Sequence, residues 1–329
     1  MNGDEFYLYA QDDFKLNNRI KLNGGLHFSG FKVNGKLYTS LQPRFSGRLL
    51  LSEKASLKAS YSSMAQYLHL LSNAGIGLPT DLWLPPTENI APQYSEQFAL
   101  GYARTIKNKF EFSVEGYYKT MKNLLEYKDG ASFILSDANW ENLVEVGKGW
   151  SYGAEILLEK KKGKTTGWIG YTLSWTERQF DNLNFGEVFP YKYDRRHDIS
   201  VAVTHKFSEK VDVGVVWVYG TGNAVSLAKE KYQTLGNQSG SYYGYGSNSV
   251  DNIESRNNYR LPSYHRLDVG VNFHKKKKRY ERTWSFGVYN IYSRQNPFYI
   301  YFSNNLGKTE LTQVSIFPII PSVSYKFKF

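Results

Sequence analysis

Apolar and polar residues alternate along most of the chain. Phe110, Phe112, Val114, Gly116 and Tyr118 form a largely apolar set. Glu111, Ser113, Glu115, Tyr117 and Lys119 fill the positions between them. The pattern returns at Ile199, Val201, Val203, His205 and Phe207, at His265, Leu267, Val269, Val271 and Phe273, and at Val323, Tyr325, Phe327 and Phe329. Successive side chains of a strand point to opposite faces, so this period predicts strands with one face on an apolar phase and the other on water. About 13 such segments can be read, most of about 10–16 residues, enough to cross a membrane at a tilt. Strands of soluble proteins average about 5–6 residues.

The connections sort by side. Short polar turns are predicted near 16–18, 52–54, 107–108, 161–164, 208–210 and 276–282. Longer loops are predicted at about 71–92, 128–148, 179–192, 222–258 and 302–310, with one short link near 33–35 on their side. Short turns on one side and long loops on the other are the plan of outer-membrane barrels, with the long loops outside. The C-terminus then lies on the periplasmic side and the first strand starts on the outer side. Single-chain bacterial barrels have even strand counts, and no secretory signal opens this chain. Both points lead to the expectation that an N-terminal part of the protein precedes this sequence.

Composition fits that plan. Mean hydropathy is negative, because only one face of each strand is apolar. Aromatic residues make up 16% of the 329, with 27 Tyr, 20 Phe and 7 Trp, and Tyr and Trp gather where a membrane meets water. No cysteine is present, which excludes thiol catalysis, disulfides and Cys-based zinc sites. The net charge of +11 would suit nucleic acid, but its densest run, 275–279, lies between two strand-like segments and reads as a solvated turn. No nucleic-acid partner is expected.

Several stretches carry a resemblance. They are Leu41-Gln42-Pro43-Arg44-Phe45-Ser46, Leu57-Lys58-Ala59-Ser60-Tyr61-Ser62, Pro79-Thr80-Asp81-Leu82-Trp83 and Glu115-Gly116-Tyr117-Tyr118-Lys119. Further on stand Tyr193-Asp194-Arg195-Arg196-His197-Asp198, Arg260-Leu261-Pro262-Ser263-Tyr264-His265-Arg266-Leu267-Asp268 and the aromatic end Tyr325-Lys326-Phe327-Lys328-Phe329. In order and spacing the chain resembles TonB-dependent outer-membrane receptors of the Bacteroidetes type. The resemblance implies an all-β fold: an antiparallel transmembrane β-barrel segment, about 13 strands of a barrel of about 22, with residues 1–329 as its C-terminal portion and the plug domain absent. It implies uptake of a scarce siderophore, vitamin, glycan or peptide, with TonB reached through an N-terminal region. It also implies outer-membrane lipid and the barrel-assembly machinery as partners, the latter reading Tyr325, Phe327 and Phe329. Neither a cofactor nor catalysis is expected. A passive porin-like barrel and a barrel-embedded hydrolase are the alternatives.

The candidate ligand contacts are loop aromatics, Trp83, Trp140, Tyr242, Tyr243 and Tyr245, whose rings can stack on a glycan or catecholate. Interfacial or loop packing is the competing role. Arg195, Arg266 and Asp268 are expected to face the lumen and pair there. Glu111, Glu115, Glu155 and Glu159 share one face; paired acids suggest glycoside hydrolysis, and a polar lumen wall explains them more simply. The six histidines show no ligand spacing, and His197 and Asp198, adjacent on a strand, point to opposite sides.

Overall fold

The computed structural model describes residues 3–72, 75–76, 81–129, 131, 139–233, 249–305 and 308–329. One antiparallel sheet of 14 strands dominates it, and thirteen of these follow one another in chain order. They are β1 (Gly3–Lys15), β2 (Ile20–Val33), β3 (Lys36–Ser52), β4 (Ala55–Gln66), β5 (Gln93–Ile106), β6 (Phe110–Tyr127) and β7 (Val144–Lys160), then β8 (Thr165–Gln179), β9 (His197–Ser208), β10 (Val211–Gly220), β11 (Tyr264–Lys277), β12 (Tyr280–Tyr289) and β13 (Ile320–Lys328). The fourteenth, Phe189–Pro190, pairs with the end of β8. β1 and β13 form the two edges of this wall.

Turns and loops sort by end as the polar clusters predict, with three corrections. Residues 144–148 belong to β7 and not to a loop, because Val144-Glu145-Val146 continues the alternation and pairs with Leu125–Tyr127. The basic run is mostly strand, with Lys275–Lys277 paired to Tyr280–Arg282 around a turn at 278–279. The last long connection spans 290–319 and carries its own hairpin, Pro297–Asn305 with Lys308–Ser315.

Register joins the apolar sets into one continuous face. Phe112 lies opposite Leu158, Ile169 opposite Val201, Val203 opposite Val215, and Val271 opposite Phe286. Near the long-loop end a row of aromatics crosses this face as successive cross-strand partners: Phe45, Tyr61, Phe98, Tyr118, Tyr152 and Trp175. Ring centroids are 4.7 Å apart for Tyr61–Phe98 and 5.4 Å for Tyr152–Trp175. Toward the short-turn end a second set packs, with Trp284 on Tyr325 at 4.6 Å and Tyr280 on Phe327 at 5.3 Å. From Phe110 to Tyr118 the face runs about 26 Å along the strand, which at a tilt of about 40° covers about 20 Å of an apolar band about 25 Å tall between aromatic girdles.

One irregularity shapes the long-loop end. Asn123 adopts φ 58°, and the β6–β7 register shifts between Lys122 and Leu124. Asn tolerates the left-handed region better than most residues, and the extra residue of a bulge re-aims the strand beyond it. Past Asn123, Leu124–Tyr127 is buried on both faces. Leu124 packs with Phe180, Leu183 and Phe189, while Leu125 and Tyr127 pack with Leu71, Ile90 and Val144.

Candidate functional site

At the long-loop end, ion pairs fasten the loops to the strand tips. Glu126, buried past the bulge, lies between two arginines: Arg178 Nη1 is 2.8 Å from its Oε2, and Arg256 Nη2 is 3.2 Å from its Oε1. The Arg178 guanidinium also lies 3.5 Å above the centre of the Tyr191 ring and donates to the Leu125 carbonyl. Arg256 reaches Asp129 at 2.7 Å and the Tyr127 carbonyl at 3.0 Å. A carboxylate this deeply buried is tolerated because charged donors satisfy both its oxygens.

Asp194, 1% exposed, is the second anchor. It accepts from the Thr176 amide at 2.7 Å, from Arg196 at 3.5 Å and from Arg260. Arg260 is held by the short pairing of Ala224–Val225 with Tyr259–Arg260. A third clasp joins Asp81 to Lys192 at 3.4 Å and to the Tyr193 hydroxyl. Burial, and then the bond to Asp81, push the Tyr193 phenol up from its usual range. His69 is fully buried in the hairpin of His69–Leu71 with Leu82–Leu84, and burial pulls its imidazole down to about 4. It stays neutral at pH 7, with Nδ1 3.0 Å from the Gln93 amide nitrogen.

The sequence candidates divide. Trp83 stands on the hairpin of His69–Leu71 with Leu82–Leu84 and is 58% exposed. Trp140 opens the short 3-10 helix Trp140–Leu143 and packs against the buried cluster of Leu71, Ile90 and Tyr127. Tyr242, Tyr243 and Tyr245 lie outside the described residues. Arg266 and Asp268 share the polar face of β11, with Nε 2.9 Å from Oδ2. Arg266 also donates to the hydroxyls of Tyr264 and Tyr289. Arg195 sits ahead of β9 rather than on a strand, exposed and 3.6 Å from Asp198. His197 turns the other way, 2.9 Å from the Tyr171 hydroxyl. Tyr325 and Phe327 lie on the apolar face, and Phe329, past the end of β13, is 97% exposed.

The four glutamates face each other across β6 and β7, Glu111 opposite Glu159 and Glu115 opposite Glu155. Lys161 bridges the first pair, 2.6 Å from Glu111 and 3.5 Å from Glu159. That is the charge matching of a polar wall. Among the described residues no group of three or more acids and histidines is placed to hold a metal.

Sequence reasoning missed Phe185. It crowns the β8–β9 loop, 94% exposed, with φ 56° and ψ 26°. Asn184 and Gly186 beside it also have positive φ. A bulky residue in the left-handed region is uncommon. Here the surroundings impose it: Asn184 Oδ1 accepts from the Arg256 amide at 2.7 Å, and the Gly186 carbonyl from Gln179 at 2.8 Å. The ring is presented to solvent above a turn held by these two hydrogen bonds. Asn184-Phe185-Gly186, flanking an aromatic with two residues that accept positive φ, is the signal that marks it.

A family model described as TonB dependent receptor-like, beta-barrel, matches residues 2–291. Among curated proteins none matches. Three solved structures illustrate the fold. The ferric yersiniabactin uptake receptor FyuA from Yersinia pestis superposes with a TM-score of 0.64 at 12% identity, over 99% of this chain and 46% of that one. The ferric-catecholate import receptor Fiu from K12 E. coli gives 0.60 at 13%, over 98% and 44%. The FrpB iron transporter from Neisseria meningitidis gives 0.58 at 15%, over 98% and 44%. The chain thus spans less than half the length of these relatives. Over most of its length it belongs to the family of TonB-dependent receptor β-barrels of the bacterial outer membrane.

Proposed function

We propose that this chain is the C-terminal portion of the barrel of a gated import receptor, whose plug and TonB-contacting region lie N-terminal to it. Its long loops, facing outward, capture a scarce substrate. Ferric chelates are the first class to test, ahead of vitamins, glycans and peptides. The observation that carries this reading is that nearly the whole chain superposes on just under half of several iron-uptake receptors. In this reading the polar face lines the lumen, where Arg266 and Asp268 meet the plug or passing substrate, and Tyr325, Phe327 and Phe329 guide assembly. The ion-paired clasps fix the loops, so Trp83 and Phe185 stand as contacts in place. The chain performs no catalysis, and the Bacteroidetes-type kinship belongs to the same proposal.

Outer membranes of the source organism, probed with an antibody against this chain, test it. The expected band lies at roughly twice 37.9 kDa or above, since a plugged barrel of about 22 strands needs that much chain. A heat-modifiable band near 37.9 kDa would instead establish a small self-contained barrel, and planar-bilayer conductance would then be the assay.

A further inference from the structure

The six short turns that close the wall at the end opposite the long loops are strongly basic. They span 16–19, 53–54, 107–109, 161–164, 209–210 and 278–279. Together they hold ten Lys and Arg against two Glu, which is +8 of the chain's net +11. All ten cations are exposed. Lys161 is occupied within the wall, 2.6 Å from Glu111 and 3.5 Å from Glu159. Among the described residues the other nine make no ion pair. Beside the last turn, Lys275–Lys277 carry the positive charge onto the end of β11, and Lys326 and Lys328 onto the end of β13. There Lys276 meets Glu281 at 2.6 Å.

Short turns of outer-membrane barrels face the periplasm. Consecutive turns of this wall are two strands apart, about 10 Å, and the six cover about 50 Å of rim. That spacing is close to the screening length of about 8 Å at physiological salt, so neighbouring turns reinforce one another's field. Eight of the ten cations are lysines. Lysine is a hydrated point charge on a flexible stem, whereas arginine forks onto one phosphate or carboxylate. A long row of lysines therefore suits charge spread along a polymer rather than a single small anion. Lipid headgroups lie beside the wall, level with the aromatic set of Trp284, Tyr325, Tyr280 and Phe327. The turns lie past that set, at the strand ends, and point away from the bilayer.

We infer that this basic rim docks an extended polycarboxylate of the periplasm, the carboxylate-bearing glycopeptide polymer of the cell wall. The inference requires only that the short turns face the periplasm, and it holds whichever substrate the receptor carries. The full-length receptor, placed in nanodiscs of zwitterionic phosphatidylcholine, would be spun with insoluble cell-wall sacculi stripped of protein. The parent is expected to pellet with the sacculi at low salt and to be released at high salt. Sacculi whose carboxylates have been amidated should not retain it. K107Q/K109Q/K162Q/K164Q/K278Q/R279Q is expected to bind untreated sacculi at least about ten-fold more weakly, with the parent's heat-modifiable mobility. A parent that stays in the supernatant overturns the inference, as does equal pelleting by the parent and the variant. Equal retention by amidated and untreated sacculi overturns it with the parent alone, so the test stands even where the variant fails to fold. Loss of pelleting when the nanodisc lipid is changed to phosphatidylglycerol would assign the turns to lipid headgroups instead, and would overturn it too.

Discussion

Arg256 and Glu126 stand 130 residues apart in sequence, yet Nη2 of one is 3.2 Å from Oε1 of the other. That bond ties the long β10–β11 connection to the tip of β6, and through Arg178 to β8. Removing one member of a buried charge set leaves the others poorly compensated, at a cost of about 3–5 kcal/mol. Arg256→Met is therefore expected to loosen the loops locally while the wall stays intact. Hydrogen exchange should accelerate at residues 126–129 and 253–258 and stay unchanged in β9 and β10. Protection equal to the parent at 126–129 would mean that Arg178 alone satisfies Glu126.

The buried imidazole of His69 makes the loop end sensitive to acid. Its folded value, about 4, lies below the ordinary 6.5. The unfolded hairpin therefore takes up a proton before the folded one does. The stability contribution is complete above pH 6.5, falls as pH drops toward 4, and levels off below that. Between pH 6.5 and 5 the loss is about 2 kcal/mol. Local opening of the His69–Leu71 hairpin, followed by hydrogen exchange at pH 7 and pH 5, should show this difference in the parent and not in His69→Leu. A pH response unchanged in the variant would assign it to another group.

The two faces of β9 make opposite demands. Val203 pairs with Val215 inside the apolar face, while Thr204 next to it turns to the polar side. Val203→Arg is expected to cost about 2–4 kcal/mol near the bilayer midplane, and Thr204→Arg far less. Urea titration of the assembled receptor in lipid would separate them. Equal midpoints for the two variants would mean that the faces are assigned wrongly.

Much of this wall was legible because its physics is local. At 199–207 each residue declares its face by its own polarity, and the period survives the whole strand. The mouth was not. Leu124-Leu125-Glu126-Tyr127 gives no hint that a glutamate will be buried, because the bulge at Asn123 turns the strand tip between two loop clusters and the balancing charges arrive from Arg178 and Arg256. Trp140 reads as a loop aromatic that either packs or meets ligand, and its packing partners Leu71 and Ile90 lie far upstream in the chain. Residues 144–148 read as loop because Gly147 and Lys148 interrupt an alternation that Val144 and Val146 had begun.

Phe185 combines strain with exposure, and the two together predict a trade between stability and capture. A non-glycine residue held in the left-handed region costs about 1 kcal/mol, and at 94% exposure the ring regains little of it by burial. Asn accepts this backbone more readily and would keep the turn between Asn184 and Gly186. Phe185→Asn is therefore expected to leave assembly and melting unchanged or slightly improved, by less than about 1 kcal/mol. If the ring contacts substrate, as the import reading holds, uptake at limiting substrate should fall about five- to ten-fold, the worth of one lost aromatic contact. Uptake at saturating substrate should change little. Cells carrying the variant, assayed for transport at both concentrations with receptor levels matched by blot, would decide the point. Parent-like uptake at limiting substrate would leave the strained backbone of residue 185 as a requirement of the turn alone.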